Sequence, residues 1–268
     1  VSRMVFSAFT HCLCLFYLLA SVLSANGNSV GFEMTSMTVP ESIGQVKFRI
    51  IFNKTNFALM EGGAVTTNPN KEDPVTSVGN FSGYFKIGKP TYTTCLNASV
   101  LDNSYVEFGI TKEYFLNITL DDYYSRKIQY TENKRTLKIT ITDDDTVLIG
   151  FSKTSLTVSD SDGNVTVCMN REGEARSPAG GVPPGALSVR LSTVQGTASN
   201  DDFTPFNSIL VDFGLNETFK CINVSIINDN KPEHMETFYI TMINGSSYVT
   251  VNETRNKLTV NIMNDDKG

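Results

Sequence analysis

Two stretches of this chain drive an apolar run into a knot of carboxylates: residues 141–145 read ITDDD and residues 262–266 read IMNDD. Neighbouring carboxylates repel, so setting them side by side twice implies a positive charge among them. More acids surround each knot. In the second half they are Asp160 in VSDSDG, Asp201 and Asp202 in NDDFTP, Asp229, Glu233 and Glu236 in INDNKPEHMETF, and the closing Asp265 and Asp266. The first half offers a corresponding set: Glu41, Asp73, Asp102, Glu107, Glu113, Asp143, Asp144 and Asp145. Ca²⁺ needs about six to eight hard oxygen donors at roughly 2.3–2.6 Å, which carboxylates from several loops can supply. Turn chemistry is the alternative, because Asp and Asn side chains bond nearby backbone groups with no metal present.

The elements that must position these acids are strands. After residue 26 no stretch keeps a helical apolar period for three turns; short alternating runs rich in Val, Ile, Thr, Phe and Tyr stand between Gly, Asn, Asp and Pro. In the first half VKFRIIF (46–52), TYTTCLNASVL (91–101), EYFLNITL (113–120) and RTLKITI (135–141) read as strands. The second half adds LIGF (148–151), NVTVCMN (164–170), ALSVRLSTV (186–194), SILVDF (208–213), FKCINVSII (219–227), ETFYITMI (236–243) and KLTVNIM (257–263). About seven short strands in roughly 120 residues fit an immunoglobulin-like sandwich, whose loops gather at two ends so that acids from different loops can converge. One long segment, 172–185, EGEARSPAGGVPPG, reads as a mobile loop. Its glycines precede a strand rather than a helix, which excludes a phosphate cradle.

The halves are copies of one unit. GFEMTSMTVPESIGQV from Gly31 matches GFSKTSLTVSDSDGNV from Gly150, CLNASVLDN from Cys95 matches CINVSIIND from Cys221, and LKITITDDD matches LTVNIMNDD, all in the same order. The expected organisation is all-β: a signal peptide over 1–25, then two tandem immunoglobulin-like Greek-key β-sandwiches over 28–145 and 146–268, with essentially no linker. The stretch from GTASNDDFTPF through INDNKPEHMETFYITMIN to LTVNIMNDD resembles the Calx-beta domain. That family's pattern runs through Gly-Thr-Ala, Asp-Tyr-Thr-Pro, an Asp-Asp followed by spaced glutamates before Thr-Phe, and a closing acidic triplet. The resemblance covers most of the second half and is looser in the first, where TVPES, ASVLDN, YFLNITL and ITITDDD carry it. It implies a sandwich that often binds Ca²⁺ through its acidic loops, in tandem arrays. The chain departs from the pattern at Asn228, Asn264, Phe203 and, in the first half, Asn103. Amide oxygens still ligate calcium but with less charge, so the ITDDD site is expected to outrank the second.

An apolar run, MVFSAFTHCLCLFYLLASVLSA, free of acids and followed by a polar stretch, reads as the secretory signal; an uncleaved anchor is the alternative. Loss of Arg3 with it takes the net charge from −6 to −7, which makes nucleic acid an unsuitable partner. Export is supported by Asn-x-Ser/Thr acceptors at Asn53, Asn80, Asn97, Asn117, Asn164, Asn216, Asn223, Asn244 and Asn252. Of the five cysteines, Cys12 and Cys14 lie in the signal. Cys168 and Cys221 fall on different strands of one half, and Cys95 is alone in the other. A Cys168–Cys221 bridge with Cys95 as a spare thiol is expected, with buried free thiols as the alternative.

No enzyme is expected. After signal removal the remaining histidine is His234, in an acidic loop, and neither a G-x-S-x-G elbow nor a paired-His metal motif is present. Glu233 and Glu236 could imitate a glycosidase pair, but a chain without Trp lacks the usual sugar platform. The expected ligands for Ca²⁺ are Glu41, Asp73, Asp102, Glu107, Asp143, Asp144, Asp145, Asp160, Asp202, Asp229, Glu233, Asp265 and Asp266. The expected role is a secreted or cell-surface calcium-binding module in adhesion, matrix or cell communication. Its partners would be calcium ions, other repeats, and extracellular proteins or glycans, with a membrane reached only through a larger parent protein or an uncleaved signal. A metal-free structural spacer is the alternative.

Overall fold

The computed structural model describes residues 28–53, 59–68, 82–88, 93–110, 112–177 and 181–266. The signal segment, Asp73 and Asn80 lie outside them. In chain order the strands are β1 (Ser29–Phe32), β2 (Ser36–Pro40), β3 (Gln45–Asn53), β4 (Leu59–Asn68), β5 (Ser82–Gly88), β6 (Thr93–Ser99), β7 (Tyr105–Glu107) and β8 (Lys112–Leu120). A short helix, α1 (Asp122–Ser125), precedes β9 (Gln129–Tyr130) and β10 (Thr136–Thr142). The second half holds β11 (Val147–Phe151), β12 (Ser155–Ser159), β13 (Asn164–Glu172), β14 (Glu174–Arg176), β15 (Ser188–Gln195) and β16 (Ile209–Asp212). It closes with β17 (Phe219–Ser225), β18 (Glu236–Asn244), β19 (Val249–Val251) and β20 (Lys257–Met263). None of the described helices is long and apolar enough to cross a membrane.

The chain divides into two compact units. One holds the residues up to Asp102 with Lys112–Thr142, the other Asn103–Thr111 with Asp143–Gly268. Each is a sandwich of a four-stranded and a five-stranded sheet. In the first the orders are β6-β3-β1-β9 and β2-β10-β8-β4-β5; in the second they are β17-β13-β11-β19 and β12-β20-β18-β15-β16. Strand for strand these orders are the same, so the sequence repeat is also a repeat of topology.

Alternation builds each core. β3 and β13 share one burial pattern, with Val46, Phe48, Ile50 and Phe52 inward in the first and Val165, Val167, Met169 and Arg171 inward in the second. Across the first sandwich they meet Leu116, Ile118, Leu137 and Ile139, and across the second Ile240, Leu258 and Val260. Arg171 stands where the first repeat has Phe52. It donates from Nη1 to the Gly214 carbonyl at 3.0 Å and from Nη2 to the Leu215 carbonyl at 2.9 Å, tying down the loop before β17.

The segment expected to be a mobile loop instead contains β14, which pairs in parallel with β7 inside the second unit: Glu174 lies opposite Tyr105 and Arg176 opposite Glu107. The Arg176 guanidinium lies 3.4 Å from the centroid of the Tyr105 ring, a cation-π contact between the two strands. Cys168 and Cys221 sit directly opposite in the β13–β17 register and form the expected disulfide, with Cα atoms 4.0 Å apart. Cys95 is disulfide-bonded as well, not the spare thiol expected from the odd count.

Candidate metal centre

At one end of the second sandwich three loops and a strand start converge. β12 and β20 run parallel with Ser159 opposite Met263, and one residue later Asp160 opens a tight 3-10 turn, Asp160–Asp162. The turn is fixed by a capping box: the Ser159 N–H donates to Asp162 Oδ2 at 2.8 Å, and Gly163 closes it at φ 73°, a left-handed conformation that favours glycine. Asp160 is thereby buried, at 7% exposure. Asp202 comes from the loop before β16, its Oδ2 accepting the Ser199 N–H at 2.6 Å. Glu233 comes from the loop after β17, and Glu236 is the first residue of β18.

Carboxylate oxygens of Asp202, Glu233 and Glu236 all lie within 4.8 Å of one another. The surrounding pocket is lined by these three with Asp160, Asp229, His234 and Asn264, and by the apolar Ile227 and Ile262. Electrostatics register the crowding. Burial, then the hydrogen bond and charge of Asp202, then the charge of Glu233, push the Glu236 carboxyl up to about 7. Asp266 is raised too, first by desolvation and then by Asp160, Asp265 and Asp229. Its Oδ2 is shielded from solvent with no hydrogen-bond partner. Such an orphan acceptor amid like charges is what a cation would satisfy. Asp229 goes the other way, held low by its hydrogen bonds from Lys231, whose Nζ is 2.9 Å from Asp229 Oδ2.

The Gly-Thr-Ala segment sets the position of Glu236. Thr197 Oγ1 accepts the Thr237 N–H at 2.8 Å, and the Ala198 N–H donates to the Thr237 carbonyl at 3.0 Å, clamping β18 immediately after its first residue. Gly196 must be glycine for this approach, since a Cβ there would meet the Thr237 carbonyl oxygen at 2.3 Å. We expect Gly196→Ala to destabilise the second repeat by roughly 1–3 kcal/mol or more through overpacking against backbone. Urea unfolding checks it, and a midpoint within error of wild type would show that the clamp gives way freely.

The closing triplet divides its labour. Asn264 Oδ1 accepts the Asp266 N–H at 2.9 Å, a local turn bond any Asx side chain can make. Asp143, its counterpart in ITDDD, makes the same bond to the Asp145 N–H at 3.1 Å. The amide at position 264 therefore serves the turn as an aspartate would. Asp265 points its Oδ2 at the hydroxyls of Ser159 (2.9 Å) and Ser161. Asn103 and Asp229 are likewise matched, each accepting the N–H two residues on, from Tyr105 and Lys231.

In the first unit Glu41 opens the corresponding 3-10 turn, Glu41–Ile43, and is fully buried. Asp102, in the exposed loop after β6, brings a carboxylate oxygen within 4.8 Å of one from Glu41. Against Glu41 the chain sets a base. Lys112 Nζ lies 3.1 Å from Glu41 Oε2, and both side chains are buried, at 4% and 0% exposure. Glu113 faces outward and pairs with Lys138 at 2.6 Å. Glu107 and the ITDDD acids fall in the second unit, where the Glu107 N–H donates to Asp143 Oδ2 at 2.6 Å. Lys112 is the residue that reading the sequence missed. The signal that could have found it is an alternation in which Leu116 and Ile118, not Phe115, face the core.

The Calx-beta domain family matches residues 24–60 and 142–266. No curated protein matches the chain. Among solved structures, the apo-form Calx CBD1 domain is 26% identical over 46% of this chain and 100% of its own, with a TM-score of 0.39. The CBD12 pair from CALX1.2 is 13% identical over 87% of this chain and 99% of its own, at 0.41. The mouse clustered PcdhgC3 EC1-3 structure is 12% identical over 91% of this chain and 70% of its own, at 0.38. With the family matching more than half of its length, on two sandwiches of one topology, this chain belongs to the Calx-beta domain family.

Proposed function

We propose that the second repeat binds one Ca²⁺ ion, and that the tandem module serves outside the cell or on its surface in adhesion, matrix or cell communication. The observation that carries the first part is the convergence of Asp202, Glu233 and Glu236 within 4.8 Å of one another. Asp266, whose Oδ2 is shielded from solvent without a partner, has its carboxyl raised by desolvation and then by the charges of Asp160 and Asp229, which line the same pocket. With Asp160 and Asp229 on the same pocket the donors are hard oxygens from separate loops, the chemistry calcium takes. Asp265 adds negative charge beside Asp160 and Asp266. The ion would neutralise acids that otherwise repel and would tie the loops together.

The extracellular part is supported by the surface-facing Cys168–Cys221 bridge and by exposed acceptor asparagines at Asn53, Asn97, Asn164, Asn216, Asn223 and Asn244. Partners would then be other repeats, extracellular proteins or glycans. A metal-free spacer is the second reading, favoured by Lys231, which already answers part of the charge at Asp229.

Calorimetric titration with Ca²⁺, against a chelated control, tests this. Wild-type chain should give a binding heat that Asp202→Asn with Glu236→Gln weakens by about 100-fold or more, as two charged ligands of about six to eight are lost. A chain silent in every form would establish the spacer.

A further inference from the structure

At one register position near the acidic end the two repeats carry opposite charges. In the second, Glu236 on β18 pairs with Ile262 on β20, and β12 ends with Ser159 opposite Met263, so that Asp160 follows at once. In the first, Ile141 on β10 occupies the place of Ile262, and its partner on β8 is Lys112; β2 ends with Pro40 opposite Thr142, so that Glu41 follows at once. Core registers agree, since Leu116 pairs with Leu137 as Ile240 pairs with Leu258. Lys112 is therefore the counterpart of Glu236, and Glu41 that of Asp160.

We infer, building on the calcium reading of the second repeat, that the first repeat has replaced its metal ion by a side chain. The Lys112 ammonium occupies the end of the sandwich where the second repeat would hold Ca²⁺, it neutralises Glu41, and this repeat folds without calcium. Three observations support this together. Glu41 is fully buried, so its carboxylate requires a compensating positive charge. Lys112 is equally withdrawn from water, at 6% exposure, and a buried ammonium requires a compensating negative one. Their atoms meet at 3.1 Å, a charge-assisted hydrogen bond. A cation entering beside Glu41 would have to displace an ammonium that cannot diffuse away. Asp102 close by adds to the field that holds the lysine.

The experiment follows each repeat's unfolding by hydrogen exchange, reading amides of β8 and β10 for the first repeat and of β18 and β20 for the second, with Ca²⁺ or with chelator. In wild-type chain, and in the Asp202→Asn, Glu236→Gln chain, first-repeat protection should be the same with and without calcium. Lys112→Met removes the buried cation paired with Glu41, so first-repeat protection in chelator should fall by about 100-fold or more. Calcium should restore a large part of it, because the vacated position then accepts the ion. Glu41→Gln with Lys112→Met should fold with near wild-type protection and show no calcium response, which separates loss of the pair from misfolding. First-repeat protection that rises with calcium while Lys112 is intact, in either chain, overturns the inference. So does a Lys112→Met chain that calcium leaves unchanged. The second-repeat reading fails by a different observation, absence of any calcium effect on β18 and β20 in wild type.

Discussion

Phe203→Ala should cost the second repeat roughly 3–5 kcal/mol and take the calcium response with it. The ring is fully buried and stacks on Phe238, with centroids 4.0 Å apart and planes within 9°. Deleting it removes a large apolar surface and leaves a cavity that the surrounding sheet edges close only in part. Its position makes the loss functional. Phe203 directly follows Asp202 and bridges to Ile226, while Phe238 lies two residues beyond Glu236 on the same strand. The stacked pair thus joins the backbones that carry two of the three converging carboxylates. Urea unfolding gives the stability and calorimetry the affinity. Affinity that stays at the wild-type value in a folded Phe203→Ala chain would show that the loops hold their acids without this contact.

The strands and the duplication were legible because period-2 alternation is strong where one face is buried: β3, β10, β13, β18 and β20 lie within a residue or two of the runs read from sequence. β4 and β5 were not legible. Their pairing shifts register between Met60 and Gly63, and a Cβ at Gly63 would meet the Phe85 ring at 2.2 Å, so a glycine that looks like a loop is a strand position covered by an aromatic ring. The acidic loops could be read as a set because most of the acids lie between strands or at their ends, yet their grouping could not.

Matching EYF at residues 113–115 with ETF at 236–238 sets Glu113 on Glu236, but the strand pairing moves the equivalence by one residue. In a strand one residue exchanges the faces, which turns Glu113 outward to Lys138 and Lys112 inward to Glu41. The alternation that buries Leu116 and Ile118 already sets Lys112 on the inward face, and the strand register fixes it opposite Ile141, where the second repeat carries an acid. Sequence ranked ITDDD above the second site; the second site's Asp202, Glu233 and Glu236 lie within 4.8 Å of one another, while Glu41 is ion-paired to Lys112.

Calcium and protons should compete at the second repeat, with signs that follow from Glu236. Its carboxyl titrates at about 7 in the folded chain, above the ordinary range, chiefly through desolvation and the neighbouring Asp202. A raised carboxylate means the folded state holds its proton longer than the unfolded one. Without metal, stability of this repeat should therefore fall as pH rises from about 4.5 to about 7, and level off above. Calcium reverses the trend, since the ligand must be deprotonated to bind. For one such proton, affinity at pH 6 should be about tenfold weaker than at pH 8. At a free calcium concentration of about 100 times the dissociation constant, binding stabilises the fold by about 2.7 kcal/mol, or roughly 10 °C in melting temperature for a domain of this size. Scanning calorimetry at pH 6 and pH 8, with calcium and with chelator, separates the terms. Glu236→Gln should remove most of the fall in the metal-free melt between about pH 4.5 and 7, leaving the part that the raised Asp266 carboxyl contributes, as well as most of the calcium shift. If the metal-free melting temperature of the second repeat rises between pH 5 and 7, Glu236 is not the group that titrates. If affinity is flat from pH 6 to 8, the ion binds without displacing that proton, and Glu236 is not a ligand.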